Sequence, residues 1–92
     1  MPYMLVRISL GNFSQWKSVW DDPEQVQIRD AYGCKGMWVF RGIDSPEETV
    51  ILMEWDDIDD AKEFGISDEL RGAMNKSGSV GRPDVLFVED VP

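Results

Sequence analysis

Residues 3–10, YMLVRISL, alternate in a way that suits a strand. Met4, Val6, Ile8 and Leu10 make one wholly apolar face, and Tyr3, Leu5, Arg7 and Ser9 make a mixed one. Gly11-Asn12 breaks the run, with Asn12 or Ser14 available to cap a helix. Phe13, Trp16, Val19 and Trp20 then recur at helical spacing. Asp22-Pro23 interrupts that pattern and predicts a second helical segment, capped by Asp22 with proline in its first turn and ended by Gly33. Residues 34–42 read as a second strand, DSPEE at 44–48 as a turn, and residues 49–55 as a third strand. Apolar residues on both faces of that strand predict a central place in a sheet. In DDIDDAKEF, acids crowd a helix start, where they favour the positive end of its dipole, and Ile58, Ala61 and Phe64 form the apolar stripe. Gly65-Ile66 interrupts it. Ser67 can cap a further helix, SDELRGAMNK, in which Leu70, Ala73 and Met74 share a face. A Gly/Ser/Pro-rich stretch, SGSVGRP, reads as a loop leading to a last strand over 84–90.

The resulting order, β-α-β-β-α-β over a single domain 1–92, predicts a ferredoxin-like α+β fold: a four-stranded antiparallel sheet with its helices on one face. The other face then carries Leu5 and either Val50 with Leu52 or Ile51 with Met53. A chain of this length would leave that apolar face wet, so a homodimer packed sheet to sheet is expected.

Charge and composition narrow the chemistry. Nine basic against eighteen acidic side chains give a net charge of −9. That balance argues against nucleic acid and against anionic membrane surfaces, both of which recruit Lys and Arg. No window approaches the ~20 apolar residues of a membrane span, and no signal segment is evident. Histidine is absent, which removes Ser-His-Asp and Cys-His catalysis, His-ligated zinc and His-bound haem. One cysteine, Cys34, forms no internal disulfide and fits a cytoplasmic setting. No metal site is expected. The carboxylates Asp56, Asp57, Asp59 and Asp60 lack the glycine and spacing of a calcium loop and read as a solvated helix start.

The segments FSQWK, YGCKGMWVFR, VILMEWDD and SDELRGAM, in this order among strands and helices, resemble the antibiotic biosynthesis monooxygenase-like family of dimeric α/β barrel proteins. The resemblance covers nearly the whole chain and implies that fold, a homodimer, and a ligand cleft within each subunit between sheet and helices. The family's haem-degrading branch is marked by an asparagine on the first strand, a tryptophan ending the third, and a histidine after an S-D-x-x-x-x-A motif. Here the tryptophan matches Trp55, whereas the asparagine position falls on Val6 and the histidine position on Met74. Two markers are missing, the iron ligand among them, so haem degradation is set aside and no cofactor is expected.

The function implied by resemblance is a cofactor-independent monooxygenase of an aromatic or polyketide-like molecule. The alternatives are a non-catalytic ligand-binding or stress-associated dimer, and a polyketide cyclase or isomerase of the same fold. Val6, Trp55 and Met74 would line an apolar cleft, with Trp55 stacking on a flat ligand and Arg7 or a tyrosine, Tyr32 first among them, steadying an anion. Each has a plainer reading. Trp55 suits a buried strand end with its N–H satisfied nearby. Val6, Met53 and Met74 suit core, and Trp16 and Trp20, four apart, suit helix packing. Arg7 and Glu54 read first as a paired charge between neighbouring strands. Trp38 and Phe40 share a face of the second strand and belong to a dimer contact or to the cleft. Tyr3 and Asn12 are further hydrogen-bonding candidates, and Cys34 is a small hydrophobe. No side chain stands out as a general base.

Overall fold

A computed structural model of the chain describes the backbone of residues 1–92 and all side chains except those of 77 and 79–82. The elements follow as β1 (Pro2–Leu10), α1 (Phe13–Trp20), α2 (Pro23–Tyr32), β2 (Cys34–Arg41), β3 (Glu48–Trp55), α3 (Ile58–Gly65), α4 (Asp68–Ser77) and β4 (Ser79–Glu89). The strands form one antiparallel sheet in the order β2-β3-β1-β4, the ferredoxin-like arrangement, with β3 and β1 central as their hydrophobic runs require.

Local chemistry sets the element ends. Asn12 caps α1 by accepting from the Gln15 N–H, Asp22 caps α2 with Pro23 behind it, Asp57 caps α3 and Ser67 caps α4. Gly33 ends α2 at φ 104°, a left-handed conformation that glycine adopts without penalty. In the β2–β3 hairpin, a Cβ on Gly42 would meet the Ser45 carbonyl oxygen at 2.5 Å, so only glycine fits.

Pleat alternation divides the sheet. Met4, Val6, Ile8, Leu10, Ile51, Met53 and Trp55 point inward and are at most 4% exposed, packed against Trp16, Trp20, Ala61, Phe64 and Leu70 of the helices. Pairing Leu5 with both Leu52 and Leu86, and Leu52 with Trp38, lays an apolar row Trp38–Leu52–Leu5–Leu86 across the opposite face. Of the two pairs open for that face, it is therefore Val50 and Leu52 that lie outside, and Ile51 and Met53 inside.

Two expectations are corrected. The stretch 77–83 is no loop: α4 runs through residue 77, and β4 begins at 79, where it pairs with Leu10 and Ser9 across a register shift. β4 is an edge strand, where proline is tolerated, so the composition that suggested a loop misled. Arg7 and Glu54 do not pair either. Arg7 stands opposite Val50 and Glu54 opposite Tyr3, so the two charges are offset along the strands. Arg7 instead binds Glu48 (Nη2 to Oε2 2.8 Å, Nε to Oε2 3.0 Å), and Glu54 accepts from the Tyr3 hydroxyl at 3.2 Å.

Candidate functional site

Between the inner face of the sheet and the helices lies a cavity of about 300 Å³. Its floor is Met4 and Val6 of β1, with Pro83 and Val85 on the β4 side. Trp20 closes one wall at the end of α1. The other wall is α4, which presents Leu70, Arg71, Met74 and Asn75, and the lip is the α3–α4 corner, Gly65 to Ser67. Helical spacing explains the α4 set: Leu70 and Arg71 lie four and three residues before Met74 and so share its side of the helix.

The site is apolar at depth and polar at its mouth. Ser67 is occupied as a helix cap: its hydroxyl donates to the Phe64 carbonyl at 2.7 Å and accepts from the Leu70 N–H at 3.2 Å. The Arg71 guanidinium lies 3.8 Å from Asp68 and is largely exposed, leaving it able to meet an anion at the entrance. Among the described lining residues there is no carboxylate and no cysteine. Among the described residues no group of three or more His, Cys, Asp or Glu could hold a metal ion, and no helix is long and apolar enough to cross a membrane.

The five residues singled out from the sequence are only partly brought together. Val6 and Met74 line the cavity. Trp55 does not: it is fully buried, with its ring 5.5 Å from that of Phe64, and its Nε1 has no hydrogen-bond partner among the described residues. Tyr32 packs edge-on against the same Phe64 at 5.4 Å and donates its hydroxyl to Glu69 at 3.0 Å, outside the lining. That bond to an anion holds the Tyr32 pKa above the ordinary phenol value, with burial adding to it. Arg7 stands on the opposite face of the sheet. The Arg7 side chain is separated from the cavity by the sheet itself, because odd and even positions of β1 point to opposite sides.

Sequence reasoning missed Arg71, Asn75, Leu70 and Met4 as lining, although stepping back three and four residues from Met74 reaches the first and third of these. It also missed the clamp behind Trp20. Arg29 is 7% exposed, donates to the Trp20 carbonyl at 2.8 Å, and sets its guanidinium 4.8 Å from the Trp20 ring centroid. Burial lowers its pKa from the usual guanidinium value. The cation is held by a carbonyl and an aromatic face, and in turn fixes the indole that walls the cavity. Cys34 is half-buried, with Sγ 3.3 Å from the Gly36 carbonyl, and burial pushes the thiol pKa up, away from nucleophilic character.

No family model and no curated protein matches the chain. Solved structures do match its fold. A Bordetella bronchiseptica protein provisionally named an antibiotic biosynthesis monooxygenase superposes with a TM-score of 0.74 at 16% identity, covering 99% of this chain and 97% of its own. A Caulobacter crescentus protein with the same provisional name gives 0.75 at 16% identity, over 99% and 90%. A third, from Deinococcus radiodurans, gives 0.66 at 14% identity, over 100% and 94%. The chain therefore has the ferredoxin-like α+β fold of these monooxygenase-named proteins over its full length.

Proposed function

We propose that the chain is a monooxygenase-like protein that binds an electron-rich aromatic or polyketide-like molecule in the cavity between sheet and helices. The observation that carries this reading is the cavity itself: about 300 Å³, walled by Trp20, Met4, Val6, Leu70 and Met74, with Arg71 at its mouth. It reaches the lower end of the size of small-molecule sites and has their usual makeup, apolar walls with few polar groups. The names of proteins sharing the fold support the same reaction class.

The chemistry fits a substrate that carries its own reducing power. A phenol or anthrone acidic enough to ionise presents a carbanion to dioxygen. A carbon–oxygen bond forms, and the peroxide, once protonated, loses water to leave a quinone. One oxygen atom stays on the product, and the other leaves as water with both electrons drawn from the substrate. The walls orient the ring and exclude water, and Arg71 stabilises the anion at the mouth. Trp55, Tyr32 and Arg7 enter this reading only indirectly, as residues that support the fold around the cavity or the face beyond it.

A second copy of the chain is the expected partner. The row Trp38–Leu52–Leu5–Leu86, with Trp38 45% and Leu86 59% exposed, supports burial against another sheet.

Oxygen uptake with anthrone-like phenols tests the activity. The expected result is one dioxygen consumed per quinone formed, with Arg71→Met lowering kcat/KM about tenfold or more. The lack of a carboxylate or cysteine among the described lining residues favours a second reading, a ligand-binding protein without turnover. Tight binding of the same phenols with no oxygen consumed would select it.

A further inference from the structure

Beside the cavity lies a second, more open hollow of about 580 Å³ between α3 and β4. Phe87 and Val85 give it an apolar floor, and Asp59, Lys62 and Glu63 a charged rim. The Lys62 ammonium lies 6.0 Å from the Phe87 ring centroid. The two hollows are not independent: Gly65, Ile66 and Val85 border both.

Gly65 is the last residue of α3, and glycine weakens a helix relative to alanine. Its backbone does not demand glycine, since among the described residues the positive-φ glycines are Gly33 and Gly78. What its missing side chain leaves is a gap that a methyl group would fill at ordinary contact distances, with no room for a larger side chain unless Met4 or Phe87 gives way. A Cβ at this position would sit 3.4 Å from Met4 Cε and 3.7 Å from Phe87 Cζ. Met4 lines the first cavity and Phe87 the second, so the glycine stands where the two meet.

We infer that the two hollows are the ends of one cleft, joined past Gly65, and that Gly65 sets its selectivity for long fused-ring aromatics over short ones. The inference rests on reading the first cavity as a ligand site. One end of the ligand lies against Trp20, Leu70 and Met74, and the other against Phe87. The ends differ in charge. Asp59 and Glu63 flank Lys62 at the outer mouth and favour neutral hydroxyls there, whereas Arg71 at the inner mouth, with Asp68 at 3.8 Å, receives the ionised oxygen.

The test is binding, followed by tryptophan fluorescence, of naphthol, anthrone and a four-ring phenol to the full chain and to Gly65→Ala and Gly65→Val. The wild type should bind more tightly as rings are added. Gly65→Val should lose affinity for the three- and four-ring probes at least about tenfold more than for naphthol, with Gly65→Ala between. The alanine contacts are ordinary van der Waals distances, so that variant should melt at or above the wild-type temperature, which separates a narrowed passage from a damaged fold. Equal weakening for every probe, or no weakening, would overturn the inference, as would wild-type affinity that ignores ring count. If the wild type binds no probe, the reading of the first cavity falls with it. Oxygen uptake is not the readout, so a protein that binds without turnover still passes or fails this test.

Discussion

The two faces of the sheet are cut from the same strands and are both rich in apolar residues, yet they reach different ends. On the inner face, Met4, Ile51, Met53 and Trp55 have no exposed surface, because α1 to α4 all pack on that side. On the outer face, Trp38, Phe40 and Leu86 are 45%, 53% and 59% exposed, and Arg7 forms its ion pair with Glu48 in the open. The inner face completes itself within one chain. The outer face has the residues of a core and no layer to cover it, so its energy is available to association rather than to folding.

Tryptophans placed on either face give the sharpest way to break that contrast. Trp55→Ala removes a fully buried ring and should cost about 3–5 kcal/mol in denaturant unfolding. Trp38→Ala should change the unfolding of a dilute single chain by less than about 1 kcal/mol. Its effect should appear in sedimentation instead, as self-association weakened at least about tenfold. If the two substitutions destabilise a dilute chain equally, the outer face is part of the folding core and the contrast fails.

Much of the inner layer was legible in sequence, because its signals are local. The caps Asn12, Asp22 and Ser67, the stop at Gly33 and the alternation of β1 all depend on neighbours within a few residues. Strand register was not legible, and register is what separates Arg7 from Glu54 and gives each a different partner. The cavity was half legible. Val6 and Met74 line it, but whether Trp55 faces a space or Phe64 depends on how α3 seats against β3, which no spacing in one segment reports. Likewise the Gly/Pro content of 77–83 describes an edge strand as well as it describes a loop.

Arginines give a smaller test of the same contrast. On the helical side, Arg29 is buried with its guanidinium on the Trp20 carbonyl and ring, so Arg29→Met leaves that carbonyl unpaired and should cost roughly 1.5–3 kcal/mol. Arg7→Met removes a pair whose side chains are 56% and 35% exposed, and should cost less than about 1 kcal/mol. Thermal unfolding of both variants checks the ordering. Arg29→Met should also shift the fluorescence of Trp20 and weaken ligand binding in the cavity that Trp20 walls, whereas Arg7→Met should leave both readouts close to wild type.

The smallest effect, and the finest, lies with the chain's two tyrosines. Both are pushed above the ordinary phenol pKa of 10.0, for different reasons. Tyr32, beside α3 and α4, owes its shift first to the hydrogen bond it donates to Glu69, whereas Tyr3, on the outer face, owes its shift first to burial, with Asp90 and Glu54 adding to it. A phenol raised in the folded state favours the fold while it keeps its proton. The contribution is therefore complete below the unfolded value near 10 and is lost as pH rises through the higher folded value. Tyrosinate absorbance should consequently lag that of the unfolded chain for both residues. Glu69→Gln should bring Tyr32 back toward the ordinary value by removing its first cause, and Glu54→Gln should move Tyr3 only in part, since desolvation, its first cause, stays. Association of two outer faces would bury Tyr3 further, so its titration, unlike that of Tyr32, should move upward with protein concentration. A Tyr3 titration that does not move with concentration would mean that the outer face stays as wet in a concentrated solution as in a dilute one.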